Sequence, residues 1–304
     1  MIVVLAGGTG GARLARGILD VVGSERLTVI ANTGDDAEVY GVHVSPDPDL
    51  VTYSLADLID EERGYGIRGD TWRTMAALEA AGHPSWFRLG DRDLATCLLR
   101  TEALREGERL ATATARVAAG LGVRARVVPM TDDPVRTHVR SRGSWAPFQA
   151  FMILQHAAGP IEAVELRGVE RARPAPEAIA AIEAAEAIVI GPSNPVISIG
   201  PILAVPGMRE AIERSGAPTV AVSPFVGGRA VKGPTEAFCE HAGLALGADG
   251  VVNAYEPLLA GVVADERVAR AGIASLETDT LMATRERRSA LARTTLEFAS
   301  TLRR

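Results

Sequence analysis

The chain has 304 residues, of which 47% are hydrophobic and 23% are charged, and its net charge is −6 at pH 7. This length can fill one large domain or a core with a lid. The acidic balance argues against a nucleic-acid partner, because binding a phosphate backbone requires a basic surface. No stretch is long and apolar enough to span a bilayer, so we expect a cytoplasmic protein without a membrane partner.

The first predicted strand ends in a glycine-rich turn. Ile2–Ala6 is a β-branched apolar run typical of a buried parallel strand, and a helical pattern follows over 12–22. The turn between them, GGTGGAR, lacks the Gly-Lys-Ser/Thr ending of a Walker loop. Its glycines still let the backbone approach a phosphate, and a helix N-terminus favours an anion. We predict phosphate binding by Gly8, Thr9, Gly10, Gly11 and Arg13; the alternative is a tight turn without a ligand.

The second predicted strand, Leu27–Ala31, ends in acids. It is followed by NTGDD, which places Asp35 and Asp36 at the same sheet edge as the glycine turn, because parallel strands end at one edge. Asp47 and Asp49 follow in the run SPDPD. Carboxylates suit Mg²⁺, which takes one or two of them and completes its shell with phosphate and water. We predict Mg²⁺ as the cofactor, with Asp35 and Asp36 as ligands; the alternative is an Asx-capped turn.

Later apolar runs alternate with helical patterns, which indicates βαβ units. The predicted fold is α/β, with a Rossmann-like, mostly parallel sheet in a three-layer core formed by 1–52 and 110–304. The mainly helical residues 53–109 are predicted to form an insertion, or lid subdomain, and 136–142 and 145–154 to add a strand and a helix to that cover. The strands are predicted over 123–129, 161–166, 187–190 and 219–222, and the helices over 111–121, 176–185, 207–215 and 235–242. The tail from 277 to 304 is predicted to be a solvated amphipathic helix.

Two loops rich in glycine and proline follow two of these strands. GPSNP presents Ser193 and Asn194, neutral hydrogen-bonding groups that suit a base or a ribose edge. SPFVGG is followed by RAVKGP, and adds Gly227, Gly228 and Lys232, the lysine as a candidate phosphate contact. Both loops lie at the ligand-binding edge of the predicted sheet.

These motifs together resemble the 2-phospho-L-lactate transferase family of deazaflavin (coenzyme F-420) biosynthesis. The resemblance runs through GGTGGAR, NTGDD, SPDPD, YGIRGDTW, RLGDRDLAT, VPMTDD, GPSNPVISIGPIL and SPFVGGRAVKGP, and spans nearly the whole chain. It implies a transferase that moves a phospholactyl or phosphoenolpyruvyl group from a guanosine-diphospho-linked donor to the ribityl hydroxyl of 7,8-didemethyl-8-hydroxy-5-deazariboflavin. GMP would leave with Mg²⁺ assistance. The resemblance also implies a homodimer.

The resemblance assigns roles by position. Asp35 matches the metal-binding carboxylate, with Asp36 beside it. Asp49 and Arg88 match catalytic positions that contact the deazaflavin acceptor, and Asp91 lies in the same acceptor motif. The donor would be held by the glycine turn and Arg13 at the diphosphate, and by Ser193, Asn194 and the 227–232 loop at the guanosine. Asp49 could also orient or deprotonate the ribityl hydroxyl.

Three residues depart from the family pattern, and two other functions are alternatives. Leu50 and Cys97 replace a common Thr and a common His beside the acceptor site, and Arg13 replaces a lysine, as in members that use a phosphoenolpyruvyl donor. Asp91 or Asp93 has a helix N-cap as its alternative role. The rival function is a regulatory protein of related fold that binds UDP-N-acetylglucosamine. An NAD-dependent dehydrogenase is a distant third, because the ribose-binding acid is missing.

Overall fold

The computed structural model describes residues 1–231, 233–270 and 272–302. Among them no helix is long and apolar enough to cross a bilayer. The strands are β1 (Ile2–Ala6), β2 (Leu27–Ala31), β3 (Ala37–Val39), β4 (Val42–Val44), β5 (Arg126–Pro129), β6 (Arg136–Ser141), β7 (Ser144–Pro147), β8 (Ala163–Arg167), β9 (Ala187–Ile190), β10 (Thr219–Val222), β11 (Phe225–Val226), β12 (Arg229–Ala230), β13 (Gly261–Ala264) and β14 (Ala274–Glu277).

The helices lie mainly between the strands of the central sheet. They are α1 (Gly8–Val22), α2 (Pro46–Leu55), α3 (Arg73–Ala80), α4 (Asp91–Arg105), α5 (Leu110–Gly120), α6 (Phe148–Ile153), α7 (Pro176–Glu183), α8 (Gly200–Ala204), α9 (Met208–Ser215), α10 (Thr235–His241), α11 (Ala248–Tyr255) and α12 (Arg285–Thr301). A π-helical turn, Pro195–Ile199, leads directly into α8.

Seven parallel strands form the central sheet, in the order β14-β13-β10-β9-β1-β2-β5. The first strand lies inside the sheet, between β9 and β2, and every residue of Ile2–Ala6 is buried, so both of its faces are covered. On one side, helices α1, α2 and α12 bury their apolar faces against the sheet, and on the other side α7, α8, α9 and α11 do so. The predicted three-layer α/β fold is therefore confirmed.

The chain changes direction across the sheet at β1. It runs from β1 to β2 and β5 on one side, and later from β9 to β14 on the other. In an open parallel sheet, ligands bind outside the carboxyl ends of the strands at such a switch point. The loops after β1 and β9 are the two loops that meet there.

Several predicted elements differ from the observed ones. The run 161–166 forms β8 (Ala163–Arg167), but this strand lies in a separate antiparallel sheet with β6 and β7, so its predicted place in the parallel alternation is wrong. Strands β13 and β14 were not predicted. The predicted helix over 145–154 begins at Phe148, after β7.

Residues 53–109 contain α3, α4 and long loops. The predicted boundary at 52/53 falls inside α2, whose residues Val51, Tyr53 and Leu55 all pack into the core layer beside α1. The division into a core and an insertion stays a prediction. The C-terminal helix α12 is not fully solvated, because Leu291, Ala292 and Ala299 are buried in that same layer.

The contact between the two switch-point loops explains one of the glycines. A Cβ on Gly10 would lie only 2.0 Å from the carbonyl oxygen of Pro192. No side chain rotation relieves such an overlap, since the obstructing atom belongs to the backbone.

We therefore expect Gly10→Ala to lower the free energy of unfolding by about 2 kcal/mol or more, because the two loops must separate. Urea unfolding followed by circular dichroism measures this loss. The control is Gly120→Ala in α5, where a Cβ meets no atom within 4 Å; helix propensity there predicts an unchanged or slightly higher stability. Equal stability of the two variants would contradict the loop contact.

Candidate active site

A cavity of about 400 Å³ lies above the meeting point of the switch-point loops. We call it the glycine-turn cavity. Most predicted phosphate- and nucleoside-binding residues reach it, whereas Gly11 is buried beneath it, where a Cβ would lie 2.9 Å from both Ser193 Oγ and Ala6 Cβ. The predicted residues that line it are Gly8, Thr9, Gly10, Arg13, Asp35, Ser193 and Asn194.

The N-terminus of α1 opens into this cavity. Its N-cap residue, Gly7, has no side chain to cap the first turn. The Gly8 amide donates to Asp47 Oδ1 at 2.7 Å, and the Thr9 hydroxyl donates to the Gly64 carbonyl at 3.2 Å. Arg13 lies one turn further along, 3.4 Å from Glu61. The helix end, with Arg13 beside it, provides the positive potential that an anion requires.

Two acids face the cavity together, and only one of them belongs to the predicted metal pair. Asp35 and Asp47 both line it. Burial first, and then the charges of Asp47 and Asp36, raise the pKa of Asp35 well above its ordinary value. Burial likewise raises the pKa of Asp47 to about 6. Asp35 Oδ1 is buried without any hydrogen-bond partner among the described residues. Like charges this close favour a bound cation or a proton.

Asp36 has a different environment. Its Oδ1 accepts from the Ser45 hydroxyl at 2.8 Å, and its Oδ2 lies 2.9 Å from His43 Nε2. It does not line the glycine-turn cavity. The structure thus brings Asp35 and Asp47 together at this cavity and holds Asp36 in a polar cluster behind it.

Asp47 was named among the acids that suit Mg²⁺ but was not predicted as a ligand, and no helix was predicted over SPDPD. Pro46 instead begins α2, so Asp47 and Asp49 lie two positions apart on one helix. Residues with this spacing point to different sides of a helix. Asp47 therefore faces the glycine turn, whereas Asp49 faces α4. A proline followed by acids is a recognisable helix start, and it was the available signal.

A second cavity, of about 450 Å³, adjoins the first. We call it the aromatic cavity, because Tyr53, Tyr65, Trp86 and Phe87 line it. Four residues line both cavities and so mark their junction. The remaining lining residues are Val44, Pro46, Asp49, Leu50, Gly66, Arg88, Leu89, Asp93 and Ile153, and the four shared ones are Asp47, Tyr65, Gln149 and Met152.

Asp49 forms a buried ion pair at the wall of the aromatic cavity. Both of its oxygens bind the guanidinium of Arg100, with Oδ2 3.1 Å from Nη1, and Arg100 is fully buried. Burial raises the pKa of Asp49, and the charge of Arg100 opposes that rise. A carboxylate held by two guanidinium hydrogen bonds anchors this wall. The hypothesis that Asp49 deprotonates a hydroxyl stays a prediction.

The predicted residues Arg88 and Asp91 are placed differently from each other. Arg88 is an exposed side chain at the rim of the aromatic cavity, 3.4 Å from Glu79. Asp91 accepts from the backbone amides of Arg73 and Thr74 at 3.1 and 3.0 Å, and so caps α3. Asp91 is not among the residues that line the aromatic cavity.

Asp93, rather than Asp91, reaches the aromatic cavity from α4. The hydroxyl of Tyr53 donates to its Oδ1 at 2.7 Å. Burial, and then the charge of Asp49, raise the pKa of Asp93 to about 7. The N-terminus of α4 itself is capped by Asp70, which accepts from the Arg92 and Asp93 amides. The sequence offered no means to separate these adjacent acids.

The GPSNP loop forms one wall of the glycine-turn cavity. Asn194 Oδ1 accepts from the amides of Val196 and Ile197, so it caps the π-helical turn. Its Nδ2 and the Ser193 hydroxyl are buried without partners among the described residues. The cavity is also lined by Thr280, Leu281 and Met282, which follow β14 and which sequence reasoning missed.

The predicted glycine pair 227–228 forms the turn of the β11–β12 hairpin. Both residues have positive φ, +58° and +73°, and the Gly227 amide donates to Asp265 at 3.0 Å. The hairpin contributes Val226 and Val231 to the cavity wall, but the glycines are not among the lining residues. Lys232, the predicted phosphate contact, lies outside the described residues.

Comparison with known proteins identifies the family. A family model described as 2-phospho-L-lactate transferase CofD matches residues 2–295. The chain belongs to this family. It is 43% identical over 316 residues to the phosphoenolpyruvate transferase of Kitasatospora aureofaciens, with 99% of this chain and 98% of that protein covered. It is 38% identical to the 2-phospho-L-lactate transferase of Methanosarcina acetivorans, with 95% and 96% covered.

The fold has a counterpart among solved structures. A member of the UPF0052 family from Bacillus halodurans superposes with a TM-score of 0.60 at 19% identity, covering 97% of this chain and 98% of that one. This likeness concerns the fold alone. The resemblance drawn from the sequence motifs is confirmed by the CofD family match, and membership makes this chain a transferase.

Two of the residues that depart from the family pattern lie at different depths. Leu50 lines the aromatic cavity directly. Cys97 is fully buried behind that wall, and its sulfur lies within 4.8 Å of a carboxylate oxygen of Asp49 and of one of Asp93. Burial raises the pKa of Cys97, so the thiol stays protonated and behaves as a small apolar group.

The raised pKa of Asp93 predicts how stability depends on pH. The group titrates about 7 in the folded state against an ordinary value of 3.8, so the folded state holds a proton that the unfolded state releases. The contribution of this bound proton to the free energy of unfolding is fully present below pH 3.8, and it is lost as the pH rises through about 7. Asp93→Asn cannot ionise, yet its amide oxygen still accepts from Tyr53. We expect the free energy of unfolding of this variant to exceed that of wild type, by a margin that grows from pH 4 to 7 by at most about 1.4 kcal/mol per pH unit.

Urea unfolding at several pH values measures this difference. The control is Asp91→Asn, because the Thr71 and Thr74 hydrogen bonds lower the pKa of Asp91 instead. Its contribution is present at all pH values above its unfolded pKa, so its stability deficit stays constant from pH 5 to 8. Parallel curves for wild type and Asp93→Asn over that range would contradict the assignment.

Proposed function

We propose that this protein transfers a phospho-carboxylic acid group, phospholactyl or phosphoenolpyruvyl, from a guanosine-diphospho-linked donor to a deazariboflavin acceptor in coenzyme F-420 biosynthesis. The terminal ribityl hydroxyl attacks the phosphorus that carries the acid. The bond from that phosphorus to the GMP oxygen breaks, and GMP leaves with the electron pair. The hydroxyl proton is released as the phosphodiester forms.

The observation that carries this proposal is the pair of adjoining cavities. The glycine-turn cavity offers a helix N-terminus, Arg13, and unpartnered groups on Ser193 and Asn194. These suit a diphosphate and a nucleoside. The aromatic cavity offers flat apolar surfaces and a few acids, which suit a planar polar ring system with a chain of hydroxyls. Since the cavities share lining residues, a hydroxyl from one can reach a phosphate in the other.

The chemistry needs positioning and charge neutralisation more than a protein nucleophile. The first turn of α1 and Arg13 would stabilise the charge that develops on the phosphates. The Asp49–Arg100 pair and the aromatic wall would hold the acceptor in line. No nucleophilic side chain is required, because the acceptor hydroxyl supplies the attacking oxygen.

Asp35 and Asp47 fit a divalent cation. Both face the glycine-turn cavity, both have raised pKa values, and Asp35 Oδ1 has no protein partner among the described residues. Mg²⁺ bound there would neutralise phosphate charge as a Lewis acid. Asp36 would support the site from behind through His43 and Ser45 rather than as a ligand facing the cavity.

A homodimer and a cytoplasmic location are further parts of the proposal, carried over from the family resemblance. Multi-angle light scattering on the purified protein tests the first of them. A mass corresponding to one chain at micromolar concentration would exclude the dimer.

The proposed reaction is tested by mass spectrometry with purified protein, Mg²⁺ and the deazariboflavin acceptor. Lactyl-, enolpyruvyl- and glyceryl-type guanosine-diphospho-linked donors compete in one mixture. We expect a phosphodiester product with release of GMP, and the product mass identifies the donor acid. No product from any donor, together with tight binding of UDP-N-acetylglucosamine and none of GDP, would replace this proposal by the nucleotide-sugar regulator.

The metal role of Asp35 predicts a trade between activity and stability. Asp35→Asn replaces a buried acid whose charged form is disfavoured by burial and by the charges of Asp47 and Asp36, so we expect a higher melting temperature than wild type without metal at alkaline pH. We expect turnover to fall about a hundredfold or more, because the metal loses a ligand. Differential scanning fluorimetry with and without Mg²⁺, and the turnover assay, measure both effects.

The matched control for this variant is Asp91→Asn, which changes an acid that caps α3 and does not face the glycine-turn cavity. It should lower the melting temperature while keeping the stabilisation by Mg²⁺. If Asp35→Asn retains both turnover and the Mg²⁺-induced shift in melting temperature, then Asp35 is not a metal ligand.

A further inference from the structure

A single aromatic side chain stands over the junction of the two cavities. Tyr65 lies in the loop between α2 and α3 and is 61% exposed. It lines the glycine-turn cavity, the aromatic cavity and a third recess of about 240 Å³ beside Trp72 and Arg88. Single exposed apolar residues are common on protein surfaces. Tyr65 differs from an ordinary exposed residue because it lines three adjoining cavities.

The loop that carries Tyr65 is braced from behind. Asp60 Oδ1 accepts from the amide of Arg63 at 3.0 Å, and Arg63 Nη2 donates to the Ile67 carbonyl at 3.1 Å. The Arg63 guanidinium also lies 4.6 Å from the centre of the Trp72 ring. The backbone closes the base of the loop, because the Asp60 amide donates to the Gly66 carbonyl at 3.0 Å.

The tip of the loop is held against the opposite side of the cleft. The hydroxyl of Thr9, in the first turn of α1, donates to the Gly64 carbonyl. Gly64 and Gly66 both have positive φ, +75° and +70°, a conformation that glycine adopts without strain. The tip therefore presents one side chain, Tyr65, between two residues that have none.

We propose that Tyr65 is a positioning residue that covers the reacting atoms. It would lie over the ribityl chain and the phosphorus under attack, and so favour the acceptor hydroxyl over water. The inference rests on the proposed function, because it takes the two cavities to hold the donor and the acceptor. A solid wall on the solvent side of a phosphoryl transfer site excludes competing hydrolysis.

The competing reaction is simple to follow. Without the cover, a water oxygen bonds to the phosphorus that carries the acid, and the bond from phosphorus to the GMP oxygen breaks. GMP leaves with the electron pair and the water proton passes to solvent. The products are GMP and the free phosphorylated acid, instead of GMP and the phosphodiester. The ratio of phosphodiester to free phosphorylated acid therefore reports the cover directly.

The test compares Tyr65→Ala and Tyr65→Phe with wild type in the turnover assay, with all products quantified by mass spectrometry. For Tyr65→Ala we expect the ratio of transfer to hydrolysis to fall about tenfold and the KM for the acceptor to rise. Tyr65→Phe should restore most of the ratio, because the ring supplies the cover. The matched control is Trp145→Ala, which removes another exposed ring, 42% exposed on β7, away from both cavities.

The outcomes separate this inference from the proposed function. Absence of transfer in the wild-type protein would overturn the proposed function itself. Normal wild-type transfer, with an unchanged ratio and acceptor KM in Tyr65→Ala, would overturn the role of Tyr65 alone. Melting curves of both variants should match wild type, since the exposed ring packs little. A fall in the ratio in Trp145→Ala as large as in Tyr65→Ala would also contradict the inference.

Discussion

The site depends on one close contact between two loops of the central sheet. Strand β1 lies between β2 and β9, so the loops that follow β1 and β9 leave the sheet side by side at the switch point. These two loops are in contact. They touch backbone to backbone, since a Cβ at Gly191 would lie 2.9 Å from the Cα of Gly11. This contact fixes the start of α1 relative to the GPSNP loop. The helix N-terminus and the unpartnered polar groups of that loop therefore face one cavity.

The buried acids around this contact differ in the partners that they have. Asp36 forms hydrogen bonds with Ser45 and His43 in the polar cluster behind the cavity, and Asp49 is paired with a buried arginine. Within the described part of the chain neither Asp35 nor Asp47 pairs with a cationic side chain, and Asp47 accepts from the Gly8 amide and the Asn32 side chain. Burying carboxylates without such a partner costs stability. Folded proteins retain such groups where function requires them, and here both lie on one wall of a cavity that also offers a helix N-terminus.

The sequence predicted the centre of the fold well and its periphery less well, for a physical reason. The strands β1, β2, β9 and β10 are buried on both faces, so each is a wholly or mostly apolar run that sequence alone reveals. Strand β14 lies at the edge of the sheet and alternates between half-buried and exposed residues, so its short run, ASLE, carries little signal. Strand β8 has a comparable pattern, and nothing in it distinguishes the accessory sheet from the main one.

The site was predicted where a motif follows a core strand directly. Asp35 and Ser193 lie within a few residues of β2 and β9, and the sheet carries them to the cavity. Residues that depend on tertiary packing were not predictable in this way. Thr280 reaches the cavity only because the chain returns from the edge strand β14 across the sheet towards α12. Asp47 and Asp49 differ in role because a helix that begins at Pro46 turns their side chains to different sides.

The C-terminal helix α12 holds the loop that carries Tyr65 in place beside α1. Glu61, in the loop that carries Tyr65, binds Arg288 of α12 at 2.6 Å and lies 3.4 Å from Arg13 of α1. The same helix packs so closely on α1 that a Cβ on Gly17 would lie 2.4 Å from the Arg288 carbonyl. One residue of α12 therefore fixes both α1 and the loop opposite it. The glycine turn begins α1, and Tyr65 lies at the tip of the loop. This packing on the far side of α1 therefore sets the width of the cleft in which we propose that the two substrates meet.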